Sequence, residues 1–183
     1  MTRVRLRPAH SAGELADLYR VPHDHTRWPD HVERVDATIR FAREFLVPPV
    51  GGVADLSCGS AAIARGIGAS WLVLGDVAAG YEFHGPIERT VGEIGPVDVF
   101  VCCETLEHLD DPDKVLAAVR EKARYLILST PVDAWNDDNV EHYWAWSRAD
   151  VDEMLVAAGW VPAAYRELRF APFVYTFGVW GCT

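Results

Sequence analysis

The chain has 183 residues, of which 50% are hydrophobic and 24% charged, enough apolar material for a packed core, and this excludes wholesale disorder. Its longest apolar runs are strand-sized and fall far short of the roughly 20 residues a membrane span needs. With Lys+Arg 17 against Asp+Glu 27 the net charge is −10, a poor match for phosphate backbones, so a nucleic-acid partner is not expected.

The first residues carry Arg3, Arg5 and Arg7 without an apolar segment, so they read as a solvated basic tail rather than a secretory signal. The spacing of Val32, Val35, Ile39, Ala42 and Leu46 predicts a helix over 30–46, with Pro29 suited to its first turn. Val53–Leu56 predicts a short strand, followed by a small-residue turn and a helix over Ala61–Ile67. Trp71–Leu74 predicts a second strand that ends at Gly75-Asp76. Residues 77–95 read as irregular, with a short helix near Pro86–Glu93.

Val97–Cys103 is apolar apart from Asp98, as a strand buried on both faces should be, and Asp98 reads as a strand-entry residue. Asp111 is placed to cap a helix with Pro112 at its first position and Val115, Leu116 and Val119 facing inward. Tyr125–Ser129 predicts another buried strand. Ser147 and Asp150 form a capping box for a helix stopped by Gly159. Segments 164–170 and 173–180 predict an antiparallel hairpin turned at Ala171-Pro172. Alternating strands and helices of this kind predict an α/β fold with a mostly parallel sheet.

Cys58, Cys102, Cys103 and Cys182 contain no CxxC pair, which argues against a disulfide framework or zinc site and for a reducing, cytoplasmic setting. Cys102 and Cys103 are adjacent in a strand and should point to opposite faces. His23, His25 and His31 lack a matching carboxylate set, and no metal is expected.

The informative stretch is Asp55-Leu56-Ser57-Cys58-Gly59-Ser60-Ala61, where a strand meets a carboxylate, small residues and a helix start. Small residues let a ligand approach the backbone, and a helix N-terminus offers unpaired N–H donors. The second strand ends in Asp76, and an acid at that place in nucleotide-binding α/β folds accepts hydrogen bonds from ribose hydroxyls. No G-x-G-x-x-G follows a strand, which disfavours a nicotinamide-linked dehydrogenase.

The Asp55–Ala61 turn, Asp76, Val97-Asp98-Val99-Phe100-Val101-Cys102-Cys103-Glu104-Thr105-Leu106-Glu107-His108, Asp111-Pro112, Thr130-Pro131, Glu141-His142 and Ala157-Ala158-Gly159-Trp160 follow one another in a familiar order. In this the chain resembles class I S-adenosylmethionine-dependent methyltransferases, and among them small-molecule enzymes such as the ubiquinone-biosynthesis O-methyltransferases. The resemblance spans roughly residues 25–183. It implies a single Rossmann-like domain with a seven-stranded-type sheet and C-terminal hairpin, its core over 30–183 and residues 1–29 an extension or lid.

It also implies S-adenosylmethionine as cofactor and a small-molecule O or N acceptor. Ser57, Cys58, Gly59, Ser60 and Ala61 would contact the methionine part, and Asp55 would receive its amino group or order the turn. Asp76 and the adjoining Val77 would hold the ribose, Ile87 would pack on the adenine, and Cys103 and Glu104 would line the methyl-donor side. Tyr19, His25 or Arg27 would reach the cofactor carboxylate. His108, His142 and Glu104 are the general-base candidates, with Asp110 beside them, while Glu107 is expected to tie down a helix start.

Departures from the family pattern are Ser57 and Ala61 in place of glycines, Pro86 in the adenine segment, and a second helix that is truncated or absent. They leave open a binding or regulatory protein on the same scaffold. Nucleic-acid methylation is the weaker alternative, because no Asp/Asn-Pro-Pro-aromatic motif follows Cys103. Trp135, Tyr143, Trp144 and Trp146 are expected to pack over the core, with one or two facing the pocket.

Overall fold

The architecture follows from alternation along three strands. In the computed structural model, which describes residues 2–20, 29–170 and 175–183, β2 (Gly52–Asp55), β5 (Val97–Cys103) and β6 (Ala123–Val132) lie side by side and parallel at the centre of a sheet. Successive side chains of a strand point to opposite faces. Ala54, Phe100, Cys102, Leu126 and Leu128 therefore enter one core, and Val53, Val99, Val101 and Ile127 enter another. The first core is covered by α4 (Ile87–Thr90), α5 (Pro112–Arg120) and α6 (Arg148–Ala157); the second by α2 (Pro29–Phe45) and α3 (Ala62–Ile67). Cys102 and Cys103 divide between the two faces as the sequence predicts.

The sheet extends outward through β3 (Trp71–Asp76) and β4 (Phe83–His84) on one side. On the other side lie β9 (Thr176–Cys182) and β8 (Pro162–Leu168). The order is β4-β3-β2-β5-β6-β9-β8, with β4 to β6 parallel and β9 antiparallel to both of its neighbours. This is an α/β, doubly wound sheet that ends in an antiparallel hairpin. The predicted turn at Ala171-Pro172 lies outside the described residues.

Local signals act where the sequence places them. The Asp111 side chain accepts from the Lys114 N–H at 3.1 Å, and Ser147 and Asp150 close a capping box. Asp98 Oδ2 accepts from the N–H groups of Gly51 and Gly52, which pins the start of β2 to β5. No helix forms between β3 and β4, so the segment after Asp76 runs directly into the sheet edge. Among the described residues no helix is long and apolar enough to cross a membrane.

Three expectations change. The buried face of α2 is wider than the predicted stripe: Val35, Ile39, Ala42 and Leu46 pack into the core as expected, Val32 is 41% exposed, and Arg34, Ala37, Thr38 and Phe41 are buried as well. The cause is that α2 packs on α3 and also on the hairpin, where Ala37 and Phe41 meet Leu168, Phe177 and Val179. The basic N-terminus is also not a solvated tail. It forms β1 (Val4–Arg5), paired antiparallel with β7 (Trp144–Ala145), and continues to the capped helix α1 (Ala12–Leu18).

Arg3 pairs with Asp113 at 2.7 Å, Arg5 with Asp110, and both guanidinium groups lie over the Trp144 ring. Arg7 donates to the carbonyls of His142 and Asp137 at 2.9 and 2.6 Å. Finally, the aromatic cluster mostly packs over the core as expected, but none of it faces the pocket. Tyr143 and Trp146 are buried, the Trp146 indole donates to the Pro131 carbonyl, and Trp135 is exposed. Neither they nor Trp144 line the cavity described next.

Candidate functional site

A cavity of about 400 Å³ opens at the carboxyl ends of β2, β3 and β5, the edge where parallel α/β sheets bind ligands. Its floor is the turn after β2. Cys58 N–H donates to the Gly75 carbonyl at 3.1 Å and Gly59 N–H to Asp76 Oδ2 at 2.8 Å, so the turn is tied to the tip of β3. Gly75 permits this close packing, since a Cβ there would lie 2.6 Å from the Phe83 carbonyl oxygen. Gly59 and Ala61 sit at φ +50° and +58°, the left-handed conformation that turns the chain into α3. Ala61 is fully buried behind the turn and does not line the cavity; Ser57, Cys58, Gly59 and Ser60 do.

Asp55 and Asp76 are the two carboxylates of this floor. Burial pushes the Asp55 carboxyl up to about 7; the Ser57 N–H at 3.3 Å opposes this, and the Asp76 charge adds to it. Asp76 Oδ1 accepts from the Ala78 N–H at 2.8 Å. Each Asp76 oxygen thus has one backbone donor and a second lone pair to spare. Val77, Pro86, Ile87 and Glu88 form the adjoining wall, and Ile87 is buried.

The opposite side is built by the end of β5 and the loop after β6. Glu104 takes a left-handed φ of +52°, a strained conformation for a residue with a Cβ. Its Oε1 accepts from Ser129 Oγ at 2.7 Å and lies 3.7 Å from Arg34 Nη1. Thr105 Oγ1 is 2.7 Å from Ser57 Oγ and joins this side to the floor. His108 and His142 meet edge to face with centroids 4.8 Å apart, and both line the cavity with Cys103 and Glu104. His142 Nδ1 is 2.5 Å from Asp137 Oδ2, which orients the ring. Glu107 does not tie down a helix. It is buried 1% exposed beneath the histidines, with Oε2 accepting from Thr130 Oγ1 at 3.0 Å.

Of the site residues read from the sequence, thirteen line the cavity: Tyr19, Asp55, Ser57, Cys58, Gly59, Ser60, Asp76, Val77, Ile87, Cys103, Glu104, His108 and His142. Arg27 and His25 lie outside the described residues. Tyr19 donates to Glu141 Oε2 at 2.7 Å. Asp110 sits apart, paired with Arg5. Sequence reasoning missed Arg34, Tyr81, Tyr175 and Phe177, which also line the cavity. Arg34 is 4% exposed and its guanidinium lies over the Phe177 ring. Arg34 adjoins the predicted apolar stripe, but its partner Phe177 belongs to the C-terminal hairpin, and no local signal links the two.

No protein-family model matches the chain, and no curated protein matches it either. Solved structures match in fold. A SAM-dependent methyltransferase from Leishmania major superposes with a TM-score of 0.75 at 13% identity, over 94% of this chain and 82% of that one. The chain has the class I methyltransferase fold. The 1,6-didemethyltoxoflavin-N1-methyltransferase of Burkholderia thailandensis, crystallised with its substrate and S-adenosylhomocysteine, gives 0.70 at 16% identity over 98% and 93%. The small RNA methyltransferase HEN1 gives 0.65 at 16% identity, over 82% of this chain and 24% of that one.

Proposed function

We propose that the protein is an S-adenosylmethionine-dependent methyltransferase acting on an oxygen or nitrogen nucleophile of a small molecule. The observation that carries this reading is the Asp76 carboxylate at the tip of β3, lining a ligand-sized cavity with spare acceptor capacity on both oxygens. The cavity suits the cofactor in other respects as well. The turn Ser57–Ser60 brings backbone rather than bulk to its floor, Ile87 offers an apolar wall for a base, and Asp55 is placed beside the turn for an ammonium group.

When bound, the cofactor supplies a methyl group made electrophilic by its sulfonium. The chain's own contribution is to hold the nucleophile in line and keep water out, which alone removes up to roughly 7–11 kcal/mol of barrier. Glu104, His108 and His142 stand on the opposite side of the cavity, within reach of an acceptor's proton. In this reading residues 30–183 form the catalytic core and 1–29 an N-terminal extension or lid.

The structural neighbours include both a small-molecule and an RNA methyltransferase. The net charge of −10 supports the small acceptor, because an acidic body lacks the cations that hold a phosphate backbone. The test is calorimetric titration of the folded protein with S-adenosylmethionine and S-adenosylhomocysteine, repeated on Asp76→Ala. Loss of a charge-assisted hydrogen-bond acceptor predicts affinity weakened by about tenfold or more. Absence of binding in folded wild-type protein sinks the proposal.

A further inference from the structure

The geometry points to a divalent-cation site formed by Glu107, His108 and His142. One donor atom from each, a carboxylate oxygen and two imidazole nitrogens, lies within 4.8 Å of the others. Donors around a tetrahedral first-row ion at about 2.0–2.2 Å are about 3.3–3.6 Å apart, so the three side chains draw together by up to about 1.5 Å to close the site. The sequence expectation of no metal considered the cysteines and the N-terminal histidines; this set joins the segment after β5 to the loop after β6, with His108 and His142 34 positions apart.

An independent observation marks the place for a cation. Glu107 is 1% exposed, Thr130 satisfies its Oε2, and its Oε1 has no hydrogen-bond partner among the described residues while lying 4.0 Å from His108 Nε2. A buried carboxylate oxygen without a partner is costly, and a cation relieves that cost.

His142 has the arrangement typical of a metal-bound imidazole. Its Nδ1 is held by Asp137 at 2.5 Å, which leaves Nε2 as the ligand atom. That Nε2 stands 3.2 Å from the Asn139 amide nitrogen, a contact the ion would replace. Tyr175 donates to the other Asp137 oxygen at 2.8 Å and fixes the carboxylate in turn.

Two imidazoles and one carboxylate suit a first-row transition ion over Mg²⁺ or Ca²⁺, which favour all-oxygen sets. Three protein ligands leave coordination positions open, and His108 and His142 border the cavity. The open positions take an oxygen donor; its role as the acceptor hydroxyl, made more acidic by the cation, rests on the methyltransferase reading.

Equilibrium dialysis of the full chain against Co²⁺, Zn²⁺ and Mg²⁺, metal alone, tests the site, with homocysteine-cofactor binding measured on the same wild-type sample. The expected result is one equivalent of Co²⁺ or Zn²⁺, held more tightly than Mg²⁺. Glu107→Gln and His142→Ala, each shown folded by circular dichroism, should weaken it about tenfold or more. A double variant, His23→Ala with His25→Ala, should bind as wild type does. The inference is overturned if no stoichiometric ion binds, if both Glu107→Gln and His142→Ala bind normally, or if only the double variant loses the ion. Metal binding without S-adenosylhomocysteine affinity leaves this site standing and removes the methyltransferase reading; the converse removes only the metal.

Discussion

Asp55 illustrates how one residue serves both fold and site. Its carboxyl is held near 7 by burial, far above its usual range. The folded protein therefore keeps a proton that the unfolded chain releases, and this group's contribution to stability falls as pH rises from about 4 to 7. Asp55→Asn keeps an acceptor for the Ser57 N–H and removes that penalty. The variant should gain stability relative to wild type between pH 5 and pH 8, read by urea unfolding. A difference that stays flat across that interval contradicts the assignment.

At this scale the sequence was informative where a motif is short and local. Asp55, Asp76 and Glu104 stand at strand ends in their motifs, and the fold brings them to one cavity. Arg34 and Tyr175 were invisible because their role depends on a helix and a hairpin meeting across the chain. Glu107 was misjudged for the same reason, since its partner Thr130 belongs to another strand.

Among the elements, β1 and β7 account for the largest departure from expectation. Two-residue strands carry no periodicity, and pairing between Val4 and Ala145 is a contact no local signal encodes. Arg7, two residues past β1, fastens the loop that carries His142 by spanning the carbonyls of Asp137 and His142. Arg7→Ala should destabilise the protein by about 1–3 kcal/mol through the loss of charge-assisted hydrogen bonds. It should also speed proteolytic cleavage within residues 133–143. If cleavage there matches wild type, the N-terminal arm does not brace the loop. The longer elements were legible because each carries its own boundary chemistry, such as Asp111-Pro112 for α5 and the Ser147–Asp150 box for α6.

For the molecule as a whole, strands that are apolar on both faces separated by capped helices leave little choice of architecture. The parallel centre follows from that pattern, and the antiparallel end follows from the terminal hairpin. Chain-wide charge then bears on the acceptor, which fold alone does not select. The central claim is that the cavity beside Asp76 is a nucleotide site. It is tested most directly by a crystal structure of the protein grown with S-adenosylhomocysteine. The account predicts the ribose hydroxyls at hydrogen-bond distance from Asp76 and the base against Ile87. A ligand bound elsewhere, or protein crystals that exclude it at saturating concentration, would contradict it.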